Sequence, residues 1–214
     1  MPRIRYQTFE FGEVDIHIRS LRDRQQYLDS GGVAEGLGIS SASWPLFGVV
    51  WSSSEVLANL IFDYNIDGKR ILEIGCGMAL ASMVLNHRLA DITATDYHPE
   101  VENFLNENVR LNSGRDIPFL RTGWDDEKSD LGRFDLLIGS DLLYEEDHID
   151  LLSQFIDQHA EPHCEVIIVD PGRSYHGRFS KKMLALGYSH GYSKPDNTDY
   201  LSEPFRGRIL NYTR

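Results

Sequence analysis

Residues 71 to 96, ILEIGCGMALASMVLNHRLADITATD, run from a β-branched apolar stretch through two glycines into a helix-forming stretch, and end on a second strand-like run and an aspartate. No other feature constrains the chain as much. A short apolar run bounded by glycine reads as a strand covered on both faces, and a strand that returns after a single helix requires a layered α/β architecture.

The same alternation extends in both directions. Before it, Ser52 followed by Glu55 fits a capping box, and Val56, Leu57, Leu60, Ile61 and Tyr64 share one helical face, so a helix is expected over 53–65. After the Asp67-Gly68 turn, strand 70–74, helix 79–89 and strand 91–96 are expected. A helix opened by Pro99 follows, with Val101, Phe104, Leu105, Asn108 and Val109 along one side. Further strands are expected at 117–121, 134–139 and 164–169, helices at 146–159 and 175–186, and a last strand in RGRILNYTR. This pattern predicts a doubly wound, mostly parallel sheet that binds ligands at the carboxyl ends of its strands. Ahead of it, alternating Val14, Ile16 and Ile18 around a Gly12 turn predict a hairpin over 4–18, and the glycine- and serine-rich 29–43 a loop able to lie over a site. The expected division is an extension over 1–44 and a catalytic-type domain over 45–214.

Charge narrows the partners. The formal net charge is −12, and residues 91–170 carry 20 acidic against 5 basic side chains. Such a field repels phosphate backbones and attracts a basic protein or amine, so nucleic acid is not expected as a partner. No apolar run approaches the ~18 residues of a membrane span, and MPRIRYQTFE lacks the apolar core of a signal peptide, so a cytoplasmic protein without a membrane partner is expected. The two cysteines, Cys76 and Cys164, do not make a disulfide framework. The sequence carries no signal for an oligomeric state.

The predicted strand ends gather residues that a bare scaffold does not need. The Rossmann pattern G-x-G-x-x-G is met at Gly75 and Gly77 but has Leu80 in third place, which argues against a nicotinamide enzyme. The remaining E-x-G-x-G, Glu73 to Gly77, lets the backbone approach a ligand that need not carry phosphate. Asp96 stands 23 residues after Glu73, where a carboxylate can accept both ribose hydroxyls of an adenosine. TGWDD sets Trp124 and Asp125 beyond the third strand, able to flank adenine and take its amino group. GSDLLYEED sets Asp141 and Tyr144 beyond the fourth, over the reactive end of such a ligand, and DPGRS offers Arg173 as a substrate contact. His159, His163 and Cys164 lack a second ligand pair, so no metal is expected. Cys76 lies beside a helix N-terminus, which lowers a thiol pKa, yet reads as a turn residue.

Taken together, VVWSSSEVLANLI, LEIGCG, TATD, the Trp124 of GWDD and SDLLY resemble the class I seven-β-strand S-adenosylmethionine-dependent methyltransferases. The resemblance is closer to the family-16 branch of protein lysine methyltransferases, and covers roughly residues 45–190. It implies a Rossmann-like, seven-stranded sheet and S-adenosyl-L-methionine as cofactor. On the cofactor side it implies Trp51, Glu73, Gly75, Cys76 and Gly77 from the first half, and Asp96, Tyr97, Trp124, Asp125 and Ser140 from the second. Asp141 and Tyr144 match the D-x-x-Y signature that lines the lysine channel. The chain departs from the family at Ala79 and Leu80, which replace a more glycine-rich loop, and at VVWSSS, which replaces a tryptophan-proline pair.

The chemistry so implied is an in-line displacement at a sulfonium methyl, in which the protein mainly aligns the partners. A lysine acceptor must first be neutral, which from a pKa of about 10.4 costs roughly 4–5 kcal/mol at pH 7. A carboxylate at Asp141 is too weak a base for that proton and is expected to orient the amine, while Tyr144 holds it by hydrogen bond or through its ring. The expected function is methyl transfer to a lysine of a protein substrate. The alternatives are a small-molecule methyltransferase and a non-catalytic module with the same fold.

Overall fold

The computed structural model describes residues 3–23, 27, 29–39, 46–126 and 130–214. An antiparallel ribbon comes first, β1 (Ile4–Phe11) and β2 (Val14–Leu21), paired from Ile4–Leu21 to Phe11–Val14. Ile16 and Ile18 point into the core, as their alternation requires. A four-residue helix, α1 (Val33–Gly36), interrupts the stretch expected as a loop; its neighbours at 40–43 lie outside the described residues.

The main body is α2 (Ser52–Asp63), β3 (Arg70–Ile74), α3 (Leu80–His87), β4 (Asp91–Asp96), α4 (Val101–Leu111), β5 (Phe119–Arg121), β6 (Phe134–Ser140), α5 (His148–His159), β7 (Ala160–Asp170), α6 (His176–Ala185), β8 (Ser189–Ser193) and β9 (Arg208–Thr213). Its seven strands lie in the order β5-β4-β3-β6-β7-β9-β8, with only β9 running antiparallel to its neighbours. The chain winds outward from β3 through β4 to β5 and then returns to place β6 on the other side of β3. The crevice at such a reversal is where doubly wound sheets take their ligands. Ile71, Leu72 and Ile74 of β3, and Leu136, Leu137 and Ile138 of β6, are fully buried because helices cover both faces of the sheet.

Local details differ from the sequence reading. The capping box does not form: Trp51 occupies the N-cap of α2, Ser52 is already helical, and no side chain caps the helix. β7 begins at Ala160 rather than 164, because its first residue pairs with Phe134 before a register shift brings Glu165 opposite Leu136. β8 was not foreseen; its SHGYS is a mostly exposed edge strand without the apolar run that marks the buried ones.

The ribbon is fastened to α4 by amides. Asn112 accepts the His17 N–H and donates to the His17 carbonyl, both at 2.7 Å, and Asn108 accepts the Arg19 N–H at 2.7 Å. One turn apart on the helix, these two side chains meet alternate residues of a strand edge. Among the described residues no helix is long and apolar enough to cross a membrane.

Candidate functional site

The carboxyl ends of β3, β4, β5 and β6 open into one cavity of about 480 Å³, within the range of small-molecule sites. Every site position expected from the sequence lines it except Glu73. Arg173 lines it too.

Glu73 is 2% exposed and turned into the protein, where its carboxylate accepts the backbone N–H of Ser82 at 2.9 Å and the Ser82 hydroxyl. It thus serves the first turn of α3, where an anion is favoured, and does not reach the cavity. Burial, with Asp96 nearby, pushes it up to about 7 against those hydrogen bonds.

The two glycines of the turn have different reasons. Gly75 lines the cavity at φ +61°, a conformation that favours glycine, and a Cβ there would also stand 2.7 Å from Leu142 Cδ2. Gly77, at φ +53°, would meet nothing within 4 Å and faces open space. Between them, Cys76 donates its N–H to the Thr95 carbonyl at 2.9 Å, and burial raises its thiol well above the ordinary range. It is an inert turn residue.

Asp96 ends β4. One carboxylate oxygen accepts the Gly77 N–H at 2.9 Å and the other the His98 N–H at 2.8 Å. Burial raises its pKa, and the N–H groups of His98, Gly77 and Tyr97 oppose the rise. The carboxylate lines the cavity and keeps lone-pair capacity for a ligand hydroxyl. Tyr97 donates to the Leu37 carbonyl and so fastens the segment after α1 against the cavity, which Leu37 and Ile39 also line. Trp51 lines the same end, its indole N–H given to the Leu46 carbonyl at 3.1 Å. The Trp124–Asp125 turn is held by Asp126, which accepts from Thr122 Oγ1 and the Gly123 N–H, both at 2.8 Å.

Across the crevice, Ser140 closes β6 and Asp141 follows at φ +57°, its N–H bonded to the Val169 carbonyl at 2.9 Å. Asp tolerates this left-handed conformation better than most residues. Its Oδ1 lies 2.5 Å from Nε of Arg173, with the side chains 14% and 33% exposed respectively. The Arg173 guanidinium also stands 5.8 Å from the Tyr144 ring centroid. One side of Tyr144 is open to solvent, yet its phenol is desolvated and near Asp96, Glu145 and Asp141, which push it up to about 12. It stays protonated and able to donate.

Two histidines that the sequence reading passed over line the cavity. His148 stands edge-on between Trp124 and Tyr144, at 4.9 and 4.4 Å between centroids, and donates from Nδ1 to the Leu142 carbonyl at 2.9 Å. His98 is stacked on Phe47 at 3.7 Å, accepts the Glu100 N–H at Nδ1, and is held by burial at about 4, so it is neutral at pH 7. Spacing alone carries no signal for either.

Asp96, Asp125 and Asp141 oppose Arg173 alone as fixed charges among the described lining residues. That balance suits a cationic ligand with sugar hydroxyls and disfavours a pyrophosphate. An aromatic and glycine-lined end beside a hydroxyl-accepting carboxylate fits S-adenosylmethionine on the same grounds. Among the described residues no group of three or more metal-ligating side chains is present.

A protein-family model described as lysine methyltransferase matches residues 42–183. The chain is 33% identical over 129 residues to protein N-lysine methyltransferase METTL21A of Danio rerio, covering 55% of this chain and 58% of that protein. It is 32% identical over 120 residues to the histidine protein methyltransferase 1 homolog of Dictyostelium discoideum, covering 52% and 38%. To the electron transfer flavoprotein beta subunit lysine methyltransferase of Mus musculus it is 27% identical over 133 residues, covering 60% and 51%. The matches therefore span less than two thirds of these relatives' own length. Among solved structures, a 16S rRNA methyltransferase of T. thermophilus in complex with AdoMet and guanosine superposes with a TM-score of 0.65 at 13% identity, covering all of this chain and 51% of that one. Magnesium protoporphyrin IX methyltransferase of Synechocystis PCC 6803 with bound SAM superposes with a TM-score of 0.56 at 20% identity, covering 76% and 78%. These likenesses show the methyltransferase fold. With its model matched over most of the sequence, the chain belongs to the lysine methyltransferase family.

Proposed function

We propose that this chain is an S-adenosylmethionine-dependent methyltransferase whose acceptor is a lysine side chain of a protein. The observation that carries the reading is that one cavity is lined both by a carboxylate with backbone-held oxygens, Asp96 after β4, and by an acidic-aromatic pair, Asp141 and Tyr144 after β6. Family membership supports the same assignment. In this reading Trp51, Gly77, Asp96, Tyr97, Trp124, Asp125 and Ser140 hold the cofactor, while Gly75 and Cys76 shape the turn and Glu73 supports it from behind. The chain divides in this reading into an extension over 1–44, whose β1–β2 ribbon is fastened to α4, and a catalytic unit over 45–214.

Bound there, the cofactor supplies an electrophilic methyl group on a positively charged sulfur. The chain's own residues do the rest. The acceptor nitrogen would lose a proton to solvent before reacting, and its lone pair would then form the N–C bond as the S–C bond breaks, leaving a neutral thioether and the positive charge on nitrogen. Asp141 and the face of Tyr144 sit where that charge grows, and a protonated phenol can also take up the neutral amine. The acidic run over 91–170 favours a target lysine set in a basic surface.

Calorimetry with S-adenosylmethionine tests the cofactor assignment, and incubation with tritiated cofactor and a cell lysate tests the acceptor. A labelled protein band whose site mass spectrometry maps to lysine is expected. Label only in the low-mass fraction would replace the protein acceptor by a small molecule, and absence of binding would leave a non-catalytic module. The likeness to a histidine protein methyltransferase makes histidine the second reading, separated by the same mapping.

A further inference from the structure

The acceptor end of the cavity already contains a cation. Arg173 places its Nε–H on Asp141 Oδ1 at 2.5 Å and its guanidinium 5.8 Å from the Tyr144 ring centroid. A carboxylate and an aromatic face are the two groups that would receive the ammonium of an acceptor, so the arginine fills the seat that an incoming lysine needs.

A second seat lies next to it. Asp170 ends β7 with no exposed surface; its Oδ1 accepts the backbone N–H groups of Gly172 and Arg173, each at 2.8 Å, and its Oδ2 is buried without a hydrogen-bond partner. An orphaned buried carboxylate oxygen is costly unless a donor reaches it in another arrangement. The arginine is tethered to this carboxylate through its own backbone, and Asp170 adds to the charges that stabilise its guanidinium. Gly172, at φ +106°, gives the tether the freedom to turn.

We propose that Arg173 is an internal stand-in for the acceptor cation, seated on Asp141 and Tyr144 when the cavity is closed to substrate and displaced toward Asp170 Oδ2 when an amine enters. This rests on the reading that Asp141 and Tyr144 receive the acceptor. The displacement makes entry selective: a cation must compete with a guanidinium, which a lysine delivered by a docked protein achieves through high local concentration, whereas a free small amine needs a far higher bulk concentration. No bond is made or broken in the exchange, only one ion pair for another.

The test uses n-butylammonium as the probe and the Arg173 Nε–H resonance as the reporter. In the full-length protein, titration with the probe is expected to shift this resonance, and Arg173→Ala and Arg173→Gln should each bind the probe about tenfold more tightly, the loss of one charge-assisted hydrogen bond that opposes entry. Asp170→Asn, with the second seat weakened, should bind it less tightly than wild type while leaving affinity for S-adenosylmethionine unchanged. Wild-type affinity for n-butylammonium in both Arg173 variants, or an Nε–H resonance indifferent to the probe, overturns the proposal. Absence of S-adenosylmethionine binding in calorimetry overturns the methyltransferase reading instead, and leaves the probe titration to be judged separately.

Discussion

Two aspartates line the cavity, one at the end of β4 and one after β6, and they are held in opposite ways. Asp96 is gripped by the backbone, one amide on each oxygen, at the end of β4. Asp141 stands in a left-handed turn after β6, and its bond partner is the long side chain of Arg173. Backbone amides cannot move without breaking the turn, so Asp96 is set before any ligand arrives. A side chain can rotate away, so the environment of Asp141 can change during a catalytic cycle. On the proposed assignment, the part of the cavity that takes the cofactor is a fixed mould and the part that takes the acceptor an adjustable one.

The largest expected effect breaks the fixed side. Asp96→Ala removes the hydroxyl acceptor and also frees two amides, and should weaken S-adenosylmethionine binding by about a hundredfold or more in calorimetry, the sum of two hydrogen bonds to a charged group. Next, Asp141→Asn should lower methyl transfer to lysate protein by about a hundredfold through misalignment of the acceptor, with cofactor affinity changed only about twofold. Equal losses in binding and transfer would erase the distinction between the two ends.

A third carboxylate sharpens the comparison through pH. Glu73, raised by burial from 4.5 to about 7, is protonated in both folded and unfolded states below 4.5. Above that, the unfolded chain releases its proton first, so this group makes stability fall as pH rises from 4.5 to 7. Glu73→Gln, which titrates nowhere, should match wild type in urea unfolding near pH 4 and exceed it by about 1–3 kcal/mol at pH 8. Glu55, likewise pushed up to about 7 by burial, leaves a residual slope in the variant. The smallest effect concerns the adjustable side. His148→Ala removes the ring wedged between Trp124 and Tyr144 and should slow transfer about three- to tenfold, in line with the roughly 0.5–1.5 kcal/mol of an aromatic pair.

What the sequence reveals of this arrangement follows the physics of each part. β3, β4 and β6 announce themselves because both faces are buried and their apolar runs are continuous, and α4 because Val101, Phe104, Leu105, Asn108 and Val109 are all buried on one side. Asp96 and Asp141 are legible because strand ends on one edge of a doubly wound sheet must converge. β8 is not, since an exposed edge strand needs no apolar pattern. The direction of Glu73 is hidden because a side chain at a strand end can serve the following helix or the ligand, and only Ser82 decides. That Gly75 also packs close to Leu142, 67 positions further along, is equally hidden. The ion pair of Arg173 joins the ends of two neighbouring strands, and pairing of that kind has no period to read.

The amide fastening of the ribbon reaches further than its own edge. Asn108 accepts from Arg19 while its own NH₂ group faces the Met78 carbonyl at 3.4 Å, so one fully buried side chain spans the ribbon and the glycine turn. Sliding β1 and β2 by a single residue would strip both asparagines of their partners in the ribbon and roll Ile16 and Ile18 out to water. The ribbon therefore acts as a splint, lending its alignment to the glycine turn that lines the cavity.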